Sequence, residues 1–422
     1  MHITTQLDLD VIAIERDDQV SLLVELTAPT PEPATERSPR TLVVVLDRSG
    51  SMGGERLDGA KAALTTLVGR LDPVDRFGLV TFDDEVRVEI PVTPMTDKNA
   101  AKRRIAGVQS GGMTNLSAGY LRGLQEAQRG KTAAGATVLL ISDGHANAGI
   151  TDADQLASVA AKSQQAGVTT ATLGFGLGYD ETLLRAIAAG GTGSELFAER
   201  ADDAMVAIAR EVDGLMAQSA QAASVFIRMA PACKQLLVVN DMPTVVAADG
   251  VLVELGSFYA GEVRRLVVTF DVPGVGALGL TEIAGLDFSW VELPALVQHS
   301  VTVPIHVNVL PGDQAAGRIP DPTVRTELAY LQNQRAKRAA AEYMSGGNAP
   351  AALRELHMAR GRATQIRSAA PASMQMELSE DIDAIDLLTA EVAHGDLSRA
   401  AKSASADIAR KSRRRGSVPR PS

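Results

Sequence analysis

The chain has 422 residues, a length typical of about three domains, and its composition is 45% hydrophobic and 22% charged, as in soluble globular proteins. The formal net charge of −10 argues against a nonspecific nucleic-acid-binding protein. The single cysteine, Cys233, excludes an intramolecular disulfide and is typical of a reducing compartment. Because no leader pattern opens the sequence and no apolar run approaches about 18 residues, we expect a cytoplasmic protein without a membrane span.

Residues 1–30 are predicted to form two strands, HITTQLDLDVIAI and VSLLVELTA, separated by the turn-like sequence ERDDQ. A linker rich in proline and charge follows at residues 31–39. Two strands alone are unstable in water. We therefore expect these N-terminal strands to join a sheet that forms later in the chain.

Residues 40–216 alternate apolar, β-branched runs with helical stretches. Four of the runs have no polar alternation, which is typical of strands buried on both faces: TLVVVLD, FGLVTFD, TVLLISD and VTTATLGFG. This pattern predicts a mostly parallel sheet with helices on each side. Only EVRVEIPV alternates cleanly, so it is predicted to be an antiparallel edge strand.

The rest of the chain divides into four segments. Strands spaced by turn residues predict an antiparallel β-sandwich over residues 217–310, which residues 1–30 would complete. A second linker is predicted at 311–322, followed by a helical region at 323–410 with apolar stripes. The basic, proline-containing segment 411–422 is predicted to be a disordered, solvated tail. The alternative for its RRRGS sequence is a target for basophilic kinases at Ser417, which is the less favoured interpretation.

Oxygen-bearing side chains follow the predicted buried strands. Asp47, Ser49 and Ser51 follow the first, Asp143 ends the third, and Thr114 stands after two glycines just before a helix. In a parallel α/β sheet, ligands bind at the carboxyl ends of strands. Two carboxylates and three hydroxyls suit Mg²⁺, Mn²⁺ or Ca²⁺, and the His and Cys residues lack zinc-like spacing. Since hydroxyls are neutral, such a site retains attraction for one more anionic oxygen, supplied by another protein.

Three other candidates are interpreted without a functional role. Asp83 and Asp84 follow the second strand at the corresponding sheet end, where they would either approach the site or form a solvated turn, and the solvated turn is the favoured interpretation. His145 lies two residues after Asp143 and is expected to be solvated. GFGLG at residues 174–178 lacks the Lys–Ser/Thr pair of a P-loop and the full GxGxxG pattern, so it is interpreted as a strand-exit turn.

The order of DRSGSM, GGMTNL and ISDG closely resembles the von Willebrand factor type A domain over roughly residues 40–215. The resemblance implies a Rossmann-like α/β fold and a metal-ion-dependent adhesion site. In that site Ser49, Ser51 and Thr114 would be direct ligands, and Asp47 and Asp143 would act directly or through water. The flanking regions resemble bacterial proteins labelled calcium-activated chloride channel homologues, and also inter-alpha-trypsin inhibitor heavy chains.

The favoured functional hypothesis is a metal-dependent protein-binding module, not an enzyme, in which a partner's Asp or Glu completes the coordination of Mg²⁺. The family resemblance adds an AAA+ ATPase as a candidate partner. The alternative is a Mg²⁺-dependent hydrolase or phosphoryl-transfer enzyme that uses the same site. A structural scaffold with an incidental metal is the third hypothesis. The sequence shows no general base or nucleophile pair for the enzyme.

Overall fold

A computed structural model gives the fold of the chain. It describes residues 1–30, 39–143, 146–176, 179–198, 203–204, 206–208, 218–293 and 295–413. Ten strands form two sheets of one unit, six form the sheet of a second unit, and helices follow them within these ranges. The fold class predicted from the sequence, a mostly parallel α/β sheet beside antiparallel sheets and C-terminal helices, is confirmed.

The α/β unit contains one six-stranded sheet. Its strands are β4 (Thr41–Asp47), β5 (Arg76–Phe82), β6 (Val86–Pro94), β7 (Ala136–Ser142), β8 (Val168–Phe175) and β9 (Thr192–Ala198), in the order β6-β5-β4-β7-β8-β9. All pairings are parallel except that of β5 with β6. EVRVEIPV therefore forms the predicted antiparallel edge strand.

Helices cover both faces of this sheet. They are α1 (Glu55–Arg70), α2 (Lys98–Ala106), α3 (Leu116–Gly130), α4 (Ala153–Gln165) and α5 (Glu181–Gly190). Leu42, Val44 and Leu46 of β4 pack in the core with α1 and α2, whereas Val43 and Val45 pack with α3, α4 and α5. The uninterrupted apolar run of β4 follows from this double burial.

The sandwich is formed from both sides of the α/β unit in sequence. Its strands are β1 (His2–Leu7), β2 (Val11–Ala13), β3 (Asp18–Thr27), β10 (Gln218–Met229), β11 (Gln235–Val238), β12 (Thr244–Val246), β13 (Gly250–Tyr259), β14 (Val263–Val272), β15 (Gly279–Glu292) and β16 (Val297–Leu310). The sheets have the orders β1-β3-β14-β11 and β12-β13-β10-β15-β16-β2, with one shared apolar core. Because β3 pairs with β14, the α/β unit is inserted between paired strands.

One predicted strand is wrong in its extent. HITTQLDLDVIAI forms two strands in different sheets, and β2 pairs in parallel with β16, so that sheet is not wholly antiparallel. The break occurs at Asp8, whose backbone N–H donates to the Ser21 carbonyl and whose Oδ1 accepts from the Ser21 N–H at 2.6 Å. This local pairing ends β1 and redirects the chain to the second sheet.

The C-terminal region is helical: α6 (Gly312–Ala315), α7 (Pro322–Ser345), α8 (Ala349–Arg367), α9 (Ala372–Ala393) and α10 (Leu397–Arg413). The predicted linker contains the short helix α6, and α10 continues past residue 411, where the tail was predicted to begin. Ser417 and the rest of 414–422 lie outside the described residues. Val324 and Leu331 of α7 pack on Leu23 and Val267 of the four-stranded sheet. Within the described ranges, none of the helices combines the length and apolar character needed to cross a bilayer.

Two elements of the α/β unit are absent from the sequence prediction, namely β9 and α2. β9 pairs in parallel with β8 and forms the edge opposite β6. Its sequence, TGSELFA, has a glycine and a glutamate among few apolar residues, so it lacks the pattern of a buried strand. β9 forms a strand because it pairs with β8, and not because its own residues favour β-structure.

Candidate metal centre

The two predicted carboxylates lie at neighbouring strand ends. Asp47 is the last residue of β4, and Asp143 directly follows β7, which pairs in parallel with β4. Parallel pairing brings both carboxyl ends to the same edge of the sheet. Asp47 is 0% exposed and Asp143 is 2% exposed, so both carboxylates are withdrawn from water.

Asp47 is held by hydrogen bonds to both of its oxygens. Its Oδ1 accepts from the Ser49 N–H at 2.8 Å, and its Oδ2 accepts from the Ser142 hydroxyl at 2.6 Å. Burial raises the pKa of Asp47, these hydrogen bonds oppose the rise, and the nearby negative charge of Asp143 adds to it. Ser142 is a site residue that the sequence analysis missed, although it stands next to Asp143 in ISDG.

The motif serines connect the two strand ends. The Ser51 hydroxyl donates to Asp143 Oδ1 at 2.7 Å, and the Ser49 and Ser51 hydroxyl oxygens lie 3.2 Å apart. Ser49 is buried, whereas Ser51 is exposed at the mouth of the cluster. Four of the five predicted side chains therefore form one hydrogen-bonded cluster that opens to solvent at Ser51.

Thr114 is placed beside this cluster by backbone contacts of its loop. The Gly50 N–H donates to the Gly112 carbonyl at 3.2 Å, which joins the Thr114 loop to the motif loop. The Thr114 N–H donates to Asn147 Oδ1 at 3.0 Å, and the Asn147 N–H donates back to the Thr114 carbonyl at 3.2 Å. Asn147 was missed because a single asparagine in a loop carries no spacing pattern.

Gly112 lies where this loop closely approaches the end of β5. Its φ is +61°, and a Cβ at this position would lie 1.8 Å from Asp84 Oδ1. A side chain here would therefore strain the backbone, and the exposed Asp84 side chain would have to move aside. The glycine allows the loop to turn towards Gly50 and position Thr114.

The solvated-turn interpretation of Asp83 is wrong. Its side chain is 5% exposed and pairs with Arg48, whose Nη2 lies 2.8 Å from Asp83 Oδ2. The Asp83 carbonyl also accepts from the Asn115 N–H at 2.9 Å, so Asp83 joins the motif loop to the Thr114 loop. Asp84 is exposed, as expected. Arg48, a basic residue inside the motif, was the available sequence indication of this pair.

Arg56 is a further site residue that the sequence analysis missed. From the first turn of α1, its Nη1 donates to Asp143 Oδ2 at 2.5 Å and to the Ser51 carbonyl at 3.3 Å. The Arg56 side chain is 41% exposed, while that of Asp143 is fully covered. His145 and residues 177–178 of GFGLG lie outside the described residues, and Gly176 precedes them at the end of β8.

The donor set fits a hard divalent cation. Asp47, Asp143, Ser49 and Ser51 provide two carboxylates and two hydroxyls, and the backbone of the Thr114 loop lies beside them; carboxylate and hydroxyl oxygens are donors that Mg²⁺, Mn²⁺ and Ca²⁺ prefer. A cation would relieve the repulsion between Asp47 and Asp143 that contributes to the raised pKa of Asp47. Across the part of the chain that the structure describes, no group of three or more His, Cys, Asp or Glu has metal-binding geometry.

Comparisons with known proteins agree with this architecture. Residues 41–210 match the family model of the von Willebrand factor type A domain. An uncharacterized Synechocystis protein, sll0103, is 32% identical over 169 residues, which are 40% of each chain. Escherichia coli YfbK is 30% identical over 194 residues, 45% of this chain and 34% of YfbK. These matches therefore span less than half the length of either relative.

Two solved structures show the same fold over most of the chain. A von Willebrand factor type A protein from Catenulispora acidiphila has a TM-score of 0.70 at 15% identity and covers 89% of this chain and 88% of its own. The ArnB paralog VWA2 from Sulfolobus acidocaldarius has a TM-score of 0.66 at 15% identity and covers 99% of each chain. These structures show the fold, and the match to the family model identifies residues 41–210 as a von Willebrand factor type A domain.

Proposed function

We propose that this chain is a metal-dependent protein-binding module. Asp47, Ser49, Ser51, Thr114 and Asp143 would hold one divalent cation, and a partner protein would add an Asp or Glu carboxylate to it. The observation that carries the proposal is the hydrogen-bonded cluster of motif serines and carboxylates at two adjacent strand ends. The open position at Ser51 supports approach by a second protein.

The charge of the donor set favours an acidic partner. The two carboxylates alone would neutralise a dication. Arg56, which pairs with Asp143, adds one positive charge, so the site with its metal carries a net positive charge. The three hydroxyls contribute oxygen atoms without charge. The metal therefore keeps net attraction for an anionic oxygen, and a carboxylate supplies one with the geometry that hard cations accept.

Mg²⁺ is the first choice of ion, with Mn²⁺ and Ca²⁺ as competitors. Five compact donors from three loops suit a six-coordinate shell completed by water or a partner oxygen, which is the Mg²⁺ arrangement. Ca²⁺ usually takes more oxygens at longer distances. We keep the cytoplasm as the expected compartment, supported by a lone and buried cysteine, Cys233.

The test is capture of protein partners by the purified chain in Mg²⁺ and in EDTA. We expect a set of partners, among which an AAA+ ATPase is a family-level candidate, that is bound only with Mg²⁺ and is lost in Asp47→Ala. Neutralising acidic residues of a captured partner should then abolish its binding. Asp97→Ala is the matched control, since it removes a carboxylate that caps α2 through the Ala100 N–H.

Two results would contradict the proposal. An identical set of captured partners in Mg²⁺ and EDTA would show that partner binding does not require the metal. Metal-dependent hydrolysis of phosphate esters that vanishes in Asp47→Ala, without metal-dependent partners, would favour the hydrolase instead. If neither binding nor turnover responds to metal, the scaffold hypothesis gains.

A further inference from the structure

Arg56 is a cation that reaches directly into the donor cluster. Its Nη1 contacts Asp143 Oδ2 and the Ser51 carbonyl, so it touches two of the three loops that carry the donors. On its other side the guanidinium lies against Gly176, where a Cβ would be 3.2 Å from Nη2. Gly176 has a φ of +75°, so a larger residue is disfavoured there for two reasons.

Arg56 divides the two oxygens of Asp143 between different partners. Oδ1 accepts from the Ser51 hydroxyl and faces the donor cluster, whereas Oδ2 accepts from Arg56. Asp143 therefore faces the donor cluster with one oxygen, and its negative charge is already paired with Arg56. A fixed positive charge beside the site also repels an incoming dication.

We propose that Arg56 lowers the affinity of the site for the cation alone and thereby makes metal binding depend on an acidic ligand. This inference rests on the proposed function. With Arg56 counted, the donor cluster and a dication carry about one net positive charge, because two carboxylates offset two of three positive charges. One carboxylate from a partner brings that sum to zero. Without Arg56, the same carboxylate would make the sum negative.

The experiment measures Mn²⁺ affinity of the full chain by calorimetry, with acetate replacing chloride at constant ionic strength as the stand-in carboxylate. Arg56→Gln should bind Mn²⁺ about tenfold more tightly than the original chain, because a nearby positive charge is removed. Acetate should tighten Mn²⁺ binding less in Arg56→Gln than in the original chain. The difference between the two proteins should shrink with added salt, since the Arg56 side chain is 41% exposed.

Two variants separate charge from a structural role. Arg56→Lys keeps the charge and should restore the original Mn²⁺ affinity. Arg70→Gln removes the same charge from the other end of α1, about 21 Å away along a helix of 1.5 Å rise per residue, and should leave Mn²⁺ affinity unchanged. Thermal unfolding of each variant shows whether the fold is retained.

The failures of the inference and of the proposed function are distinguishable. If Asp47→Ala abolishes Mn²⁺ binding while Arg56→Gln binds Mn²⁺ as the original chain does, only the role of Arg56 is overturned. If Arg56→Gln binds more weakly, Arg56 holds Asp143 in place, and the inference is again wrong. If Asp47→Ala retains the full Mn²⁺ affinity, the metal site itself is wrong, and the proposed function fails with it.

Discussion

Two clusters of buried carboxylates in this chain differ in how far their charged partners are exposed to solvent. At the strand ends, Asp47 and Asp143 accept hydrogen bonds from serine hydroxyls, and the partly exposed Arg56 pairs with Asp143. Between α7 and α9, Lys337 Nζ donates to Asp381 at 2.7 Å, and both side chains are 0% exposed. The helical pair is wholly buried, whereas the strand-end cluster reaches solvent at Ser51.

Breaking the buried pair should have the largest effect. Lys337→Met removes the ammonium group from beside the buried Asp381, which also accepts from the Gln334 side-chain amide at 3.1 Å. We expect the free energy of unfolding to fall by about 3–5 kcal/mol, as when one member of a buried ion pair is removed. Chemical denaturation followed by circular dichroism measures it.

The control for Lys337→Met is an exposed pair in the same helical region. Arg360 and Asp386 join α8 to α9 with side chains 48% and 45% exposed, and Arg360→Met should change stability little. The double variant Lys337→Met, Asp381→Leu should recover most of the loss, because it removes both charges. Equal costs for Lys337→Met and Arg360→Met would show that burial does not distinguish these pairs.

Glu195 is a further buried carboxyl, and one of its oxygens, Oε1, has no hydrogen-bond partner among the described residues. It lines a cavity of about 110 Å³ where β9 meets the sandwich and the helices. Burial raises its pKa to about 7, Arg185 and Arg338 oppose the rise, and Glu181 and Asp241 add to it.

This raised pKa predicts that stability decreases as the pH rises from about 4.5 to 7, because the folded chain holds a proton that the unfolded chain has lost. At pH values above this window Glu195→Gln should be more stable than the original chain by about 3 kcal/mol, and below it the two should converge. Unfolding at several pH values measures this difference. The exposed Glu380→Gln is the control, and a gap independent of pH would contradict the prediction.

The smallest effect is expected where a neutral side chain supports the open cluster. Asn147→Ala removes the acceptor of the Thr114 N–H and should cost about 1 kcal/mol of stability. Mn²⁺ affinity should fall about tenfold, since residues that orient ligands typically matter by that much. Asn348→Ala, which removes the side-chain acceptor of the Ala351 N–H at the start of α8, should leave Mn²⁺ affinity unchanged. Equal Mn²⁺ affinities of the two variants would show that Asn147 does not contribute to metal binding.

The sequence predicts the elements whose pattern is local. β4, β5, β7 and β8 are buried on both faces, so their apolar runs are long and uninterrupted. β9 and the break at Asp8 were missed because both depend on partners distant in sequence, namely β8 and Ser21. A pattern within a short segment carries no information on such pairings.

The same distinction holds for the site. Asp47, Asp143 and the motif serines are predictable because parallel strands bring their ends together. The burial of Asp83 required Arg48 to be folded onto it, and the role of Arg56 required α1 to begin beside the end of β7. These pairs form only after the loops have met, so spacing does not identify the partners, although the basic Arg48 inside the motif was an indication of the first pair.

The most direct test of the metal site is a crystal structure of the chain grown with Mn²⁺, with anomalous diffraction locating the ion. We predict one peak about 2.0–2.3 Å from the hydroxyl oxygens of Ser49, Ser51 and Thr114, at the exits of β4 and β7. The peak should be absent in crystals of Asp47→Ala. An empty cluster at saturating Mn²⁺, or an ion bound elsewhere, would contradict the account.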